Sequence, residues 1–179
     1  MPAPDVLHEV LSGLRERGSI GTTSVDEAVA HAERFVALLP DTPLSLADLG
    51  SGGGLPGLVI AVRRPAARVV LVERRLTRAD QLRRAVGALS LGERVEVHAG
   101  DVRAVAEARP RSFDVVTARS FGPPAVTARW GAALLIAGGV LLVSEPPEAG
   151  DGRWTTSVLD SVGLVDEGAT AGIRSLRRR

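Results

Sequence analysis

The chain is 179 residues long, 45% hydrophobic and 24% charged, with a formal net charge of +1 and no cysteine. That length suits one domain with a sizeable core, and the apolar content argues against disorder. The missing cysteine excludes disulfides, thiolate metal sites and a cysteine nucleophile, and no run of about 18 apolar residues is present to cross a membrane.

The start, Met1-Pro2-Ala3-Pro4-Asp5, lacks the basic residues and apolar run of a secretory signal, so a soluble, cytoplasmic chain is expected. Over residues 4 to 17, Val6, Val10, Leu11 and Leu14 fall at helical spacing, and Gly13 and Gly18 weaken and end the segment. Ser24-Val25-Asp26-Glu27 reads as a capping box opening a second helix that runs to Pro40, with Val29, Phe35, Val36 and Leu39 inward. From Leu44 the pattern changes to short apolar runs at 44–49, 69–72, 95–98, 113–117 and 140–143, separated by helical spacing at 56–64, 77–89 and 123–135. Such alternation predicts βαβ units, and near-continuous Val and Leu runs predict a mostly parallel sheet covered by helices on both faces. After Gly152 a helix over about 153–162 leads to two weaker strand candidates near 164–167 and 172–176. The expected organisation is one α/β domain over 1–179, with two N-terminal helices in 1–40 and the core in 44–179.

All 22 basic residues are arginine, and the chain has neither lysine nor asparagine, a bias that a GC-rich coding sequence explains better than arginine chemistry does. The acidic excess lies in residues 1–47 and the basic excess in 48–150, so any nucleic-acid contact is expected in the middle or the tail.

The most informative segment is Asp48-Leu49-Gly50-Ser51-Gly52-Gly53-Gly54-Leu55-Pro56-Gly57, between the first strand and a helix. In an open α/β sheet, that turn is where ligands bind. Gly52-x-Gly54-x-x-Gly57 formally matches the dinucleotide fingerprint, with Glu73 placed 21 residues after Gly52 as a ribose-binding acid. Asp48-x-Gly50-x-Gly52-x-Gly54 also matches the acid-plus-glycines loop of S-adenosylmethionine enzymes, in which the acid helps anchor the methionine ammonium and Glu73 accepts the ribose hydroxyls. A carboxylate two residues before the first glycine repels a pyrophosphate and attracts an ammonium and a sulfonium, which favours S-adenosylmethionine (S-adenosyl-L-methionine). Asp101, after the third strand, is a candidate acceptor for the adenine amino group and equally a helix N-cap.

Leu49-Gly50-Ser51-Gly52-Gly53-Gly54-Leu55-Pro56-Gly57, taken with Phe113-Asp114-Val115-Val116-Thr117-Ala118-Arg119-Ser120, resembles the glucose-inhibited division protein B family. These methyltransferases modify guanine N7 in 16S ribosomal RNA. The resemblance runs from about Leu38 to Val143 and implies the Rossmann-like fold of class I S-adenosylmethionine-dependent methyltransferases. It implies an enzyme whose partner is ribosomal RNA or the small-subunit particle, and no residue spacing in the chain suggests a metal site. It carries cofactor roles to Gly50, Leu55, Val102, Arg103 and Arg119, with Glu73 at the ribose. The chain departs from the family's usual Arg-His pair, with Glu27, Ala28 and His31 in that stretch. Ser144-Glu145-Pro146 stands where the family has Lys-Gly, and Arg103 where it often has Glu.

Guanine N7 carries a lone pair and no proton, so its attack on a sulfonium methyl needs no general base and depends on alignment. Arg119, directly after the fourth strand, is the expected catalytic residue, through the methionine carboxylate or the acceptor's phosphate. His98 is expected to pack at a strand end, and His8 and His31 to be solvated or half-buried on helices. RNA contacts are expected from Arg74, Arg75, Arg78, Arg83 and Arg84, and from Arg174, Arg177, Arg178 and Arg179, with Phe121 and Trp130 as stacking platforms. A methyltransferase on a small molecule, or a non-catalytic cofactor-binding relative, are the alternatives, ahead of a nicotinamide-dependent oxidoreductase.

Overall fold

Short Val- and Leu-rich runs bury both faces when helices cover a sheet on each side, and the chain uses that solution in the middle of its sheet. The computed structural model describes residues 4–146 and 151–179, so Met1-Pro2-Ala3 lie outside the described residues. Helices α1 (Pro4–Glu16) and α2 (Val25–Val36) precede β1 (Ser45–Leu49), α3 (Gly57–Arg63), β2 (Arg68–Glu73), α4 (Leu76–Ala88) and β3 (Val95–Ala99). Then come α5 (Val102–Ala108), β4 (Phe113–Ala118), α6 (Pro124–Leu134), β5 (Leu135–Ser144), α7 (Thr156–Val162), β6 (Leu164–Thr170) and β7 (Ile173–Arg178). The strands form one sheet in the order β3-β2-β1-β4-β5-β7-β6, with β1 to β5 parallel and β7 antiparallel to both its neighbours.

Period-two alternation sorts successive side chains into two cores. Leu46, Val69, Leu71, Val115 and Leu142 face α1 to α4, while Ala47, Val70, Val72, Val116 and Leu141 face α5 to α7. Leu11 and Leu14 of α1 and Phe35 of α2 are wholly buried in the first core, so the N-terminal helices are part of it. The expected capping box forms: Glu27 N–H donates to Ser24 Oγ at 3.2 Å, and Ser24 N–H donates to Glu27 Oε2 at 3.1 Å. The helix it opens ends at Val36, not at Pro40, and buries Ala28 and Ala32 alongside Phe35.

Elements toward the C-terminus also differ from the sequence expectation. β5 begins at Leu135, five residues early, because Gly138 (φ 75°) and Gly139 carry an irregularity in its pairing with β4 that interrupts the apolar run. α7 begins at Thr156, after a short 3-10 turn at Asp151–Arg153. β6 and β7 form a full hairpin whose two turn residues, Ala171 (φ 51°) and Gly172 (φ 78°), are both left-handed, as a type I′ turn requires.

Candidate functional site

The loops after β1, β2, β3, β4 and β5 gather at the carboxyl ends of the parallel strands, the edge at which open α/β sheets bind ligands. Three cavities open there, of about 330, 170 and 740 Å³. The first has Gly50, Glu73, Asp101 and Val102 in its walls, with Phe121 and Trp130 opposite. The second is lined by Gly50, Gly52, Leu55 and Arg119, under Ser19 and Ile20 of the α1–α2 connection. The third lies beyond β4 and β5, between Arg119, His31, Ser144 and Arg174. Ser120 lines all three, and it holds a left-handed backbone (φ 54°) that non-glycine residues rarely adopt.

The glycine loop divides its labour. Gly50 (φ 66°) and Gly52 (φ 53°) face cavities in conformations that disfavour any side chain. Gly54 lies elsewhere: a Cβ there would come within 2.3 Å of Leu58 and 3.2 Å of Leu82, so its glycine serves the packing of α3 and α4. At Gly57 a Cβ would meet Leu71 at 2.3 Å, and at Gly53 it would meet Ile20 at 2.3 Å. Gly54, an expected cofactor contact, lines none of the three cavities.

Glu73 is 5% exposed, and its two oxygens accept Gly52 N–H at 3.0 Å and Arg75 N–H at 2.8 Å. It ties the loop to the end of β2 while facing the first cavity. Asp48 is 1% exposed and lines none of the three cavities. Its carboxylate accepts from Thr117 Oγ1 at 2.7 Å and Gly57 N–H at 3.3 Å, so any pull it exerts on a ligand passes through the loop. Burial raises its pKa, opposed by the Thr117 hydroxyl, the Gly57 amide and the Arg119 charge.

Asp101 caps α5 by accepting Arg103 N–H at 2.9 Å while standing in the first cavity's wall, so both expected roles are sterically open to it. The Arg103 side chain turns away to pair with Glu107 at 2.8 Å, which leaves only its backbone near the site. Arg119 is half-buried between the second and third cavities; burial lowers its pKa and the nearby Asp48 opposes that.

His31 Nε2 lies 2.9 Å from Ser144 Oγ, and burial, then Arg119 and Arg34, lower its pKa. Sequence reading placed it at a half-buried helix position and missed that α2 turns it into the third cavity. It also missed Glu145, a buried carboxylate held by Arg153 at 3.2 Å, Arg174 at 3.5 Å and the Trp154 indole N–H. No local signal marks these residues, because the hairpin and the segment before α7 bring them together from distant parts of the chain. His98, expected to pack at a strand end, has a buried Nε2 with no hydrogen-bond partner among the described residues.

Among the described residues, no group of His, Asp or Glu has a metal-holding arrangement, and no helix is long and apolar enough to cross a membrane. A family model described as rRNA small subunit methyltransferase G (GidB) matches residues 12–146. The chain is 40% identical over 136 residues to ribosomal RNA small subunit methyltransferase G of Salinispora tropica, covering 74% of this chain and 54% of that one. It is 39% identical over 137 residues to the protein of the same name from Rubrobacter xylanophilus, covering 73% and 52%. The chain thus spans about half the length of the curated relatives it matches. Its fold is shared with an O-methyltransferase from Bacillus cereus solved in complex with SAH (TM-score 0.63, 15% identity, 99% of this chain and 90% of that one). On the family match over residues 12–146 and these relatives, the chain belongs to the rRNA small subunit methyltransferase G family.

Proposed function

We propose that the chain is an S-adenosylmethionine-dependent methyltransferase acting on guanine N7 of 16S ribosomal RNA. The observation that carries this reading is the run of three cavities sharing Ser120, with an acid-and-glycine wall at one end and an arginine-lined chamber at the other. The residues present fit the cofactor. Gly50 and Gly52 leave open backbone, Glu73 offers a buried carboxylate to ribose hydroxyls, and Val102 and Phe121 give the adenine apolar surroundings. Leu55 and Arg119 would flank the methionine end, with the Arg119 guanidinium toward its carboxylate.

When bound, the cofactor supplies an electrophilic methyl group on a positively charged sulfur. This chain's own residues orient the acceptor. Because guanine N7 has no proton to lose, the site needs no base, and neither His31 nor Asp48 is required to take one. Arg119 faces both the methionine-side cavity and the acceptor chamber, so a single side chain aligns the two reactants. Its positive charge also suits an acceptor carrying phosphate.

The test is made in cells. In a strain deleted for this gene, mass spectrometry of 16S ribosomal RNA is expected to show loss of one N7-methylguanine, restored by the wild-type chain and not by Arg119→Ala. Unchanged methylation in the deletion strain would move the activity to another acceptor.

A further inference from the structure

We infer that the rim of the first cavity, formed by the start of α4 and by α6, is a docking surface for single-stranded RNA. This rests on the acceptor reading above and adds the place where the strand lies.

Arginines are everywhere in this chain, so their partners decide which of them can bind phosphate. Nine of the 22 pair with carboxylates among the described residues. In β7, Arg174 is held by Asp166 at 2.5 Å and Arg177 by Glu167 at 2.5 Å, and just after it Arg179 is held by Asp160 at 2.5 Å. The basic tail expected to bind RNA is thus largely neutralised by its own hairpin and by α7.

The rim is different. Arg74, Arg75 and Arg78 stand along one lip with no carboxylate in ion-pair distance among the described residues, and Arg78 meets only the Gly18 carbonyl at 3.4 Å. On the other lip the Arg129 guanidinium lies 5.0 Å from the Trp130 ring centre. The lip's three arginines outnumber the cavity's two carboxylates, Glu73 and Asp101, both of which also accept backbone amides.

Apolar surface is exposed at the same place. Leu76 is 67% exposed and Val126 is 43% exposed, two of the three large hydrophobic side chains exposed among the described residues. Leu76 begins α4 beside Arg75, and Val126 and Trp130 line the opposite lip. Guanidinium groups, an arginine-backed indole and exposed aliphatic side chains match what one strand offers: a phosphate per nucleotide and bare base faces. A duplex hides its base faces and leaves the apolar side chains without a role. A second copy of this chain, joined rim to rim by a two-fold axis, would set arginines against arginines. Phe121 lines both the first cavity and the third, so the rim lies next to the acceptor chamber.

The experiment measures binding of an unstructured RNA oligonucleotide by fluorescence anisotropy over a range of salt, using the full chain. Arg75→Glu with Arg129→Glu is expected to weaken binding roughly tenfold at low salt and to reduce the log–log salt slope by about 1.4, two single-strand phosphate contacts. Arg177→Glu with Arg179→Glu is expected to leave the slope unchanged. Melting temperature and cofactor affinity are measured for each variant, and Arg75→Gln with Arg129→Gln provides a gentler pair. Rim variants that bind RNA like the wild type, while the wild type still methylates ribosomal RNA, overturn the docking surface alone. A wild-type chain that neither binds nor methylates RNA overturns both readings. Rim variants that change only the oligomeric state would assign the surface to a second copy and also overturn it.

Discussion

Glu73 shows how one side chain joins fold and site. Its carboxylate pairs two backbone amides that would otherwise be orphaned, and it also faces the cavity where a ribose would lie. Glu73→Ala is therefore expected to weaken cofactor binding by about 1.5 to 3 kcal/mol and also to lower the melting temperature, because two backbone donors that tie the loop to β2 lose their acceptor. Glu73→Gln keeps one acceptor oxygen and is expected to recover part of the stability; calorimetry and thermal melts on both variants check this. A position two decades past a glycine loop was legible in the sequence because strand and helix lengths fix it. Its second duty to the loop was not, since a side chain's partner across the sheet leaves no local pattern. His31 gives a pH prediction at the same scale. Its pKa is lowered in the folded chain, so the unfolded chain takes up the proton first, and stability is lost as pH falls below the ordinary histidine value of about 6.5. Asp48, raised by burial, contributes with the opposite sign, so the comparison is between wild type and His31→Gln. The melting temperature of the wild type is expected to fall more steeply than that of the variant between about pH 6.5 and 5. Parallel curves would contradict it.

At the level of elements, the loop between β1 and α3 separates glycines that admit a ligand from glycines that admit a neighbour. Gly57→Ala drives a methyl group to 2.3 Å from Leu71 and 2.8 Å from Asp48, so α3 must shift off the sheet. A loss of about 1 to 3 kcal/mol in denaturant unfolding is expected without any ligand present. Gly50→Ala instead meets the Phe121 ring at 3.0 Å with a left-handed backbone, so its penalty falls on the cavity as well as on the turn. The motif announced a close approach at this turn but not which atoms approach. The five parallel strands were legible because burial on both faces concentrates Val and Leu. β6 was faint because six of its seven residues are exposed, and β5 was cut short because Gly138 and Gly139 erase the apolar signal. The third cavity was least legible, being assembled from α2, the end of β5 and the β6–β7 hairpin.

Over the whole molecule, the cavities divide the cofactor's expected place from the acceptor's, and Arg119 stands where they meet. A ligand that binds only the folded state raises its melting temperature, so S-adenosylmethionine or its demethylated product is expected to do so and the nicotinamide dinucleotides are not. Stabilisation by NAD alone would contradict the assignment of the loop. The most direct test of the account is transfer of a labelled methyl group from S-adenosylmethionine to 30S particles, or to naked ribosomal RNA, from a strain lacking the modification. The account predicts label recovered as N7-methylguanine in 16S RNA, with Arg119→Ala slowing transfer on the order of a hundredfold through loss of alignment at the reacting centre. A purified chain that binds the cofactor and transfers no label to either substrate would contradict it.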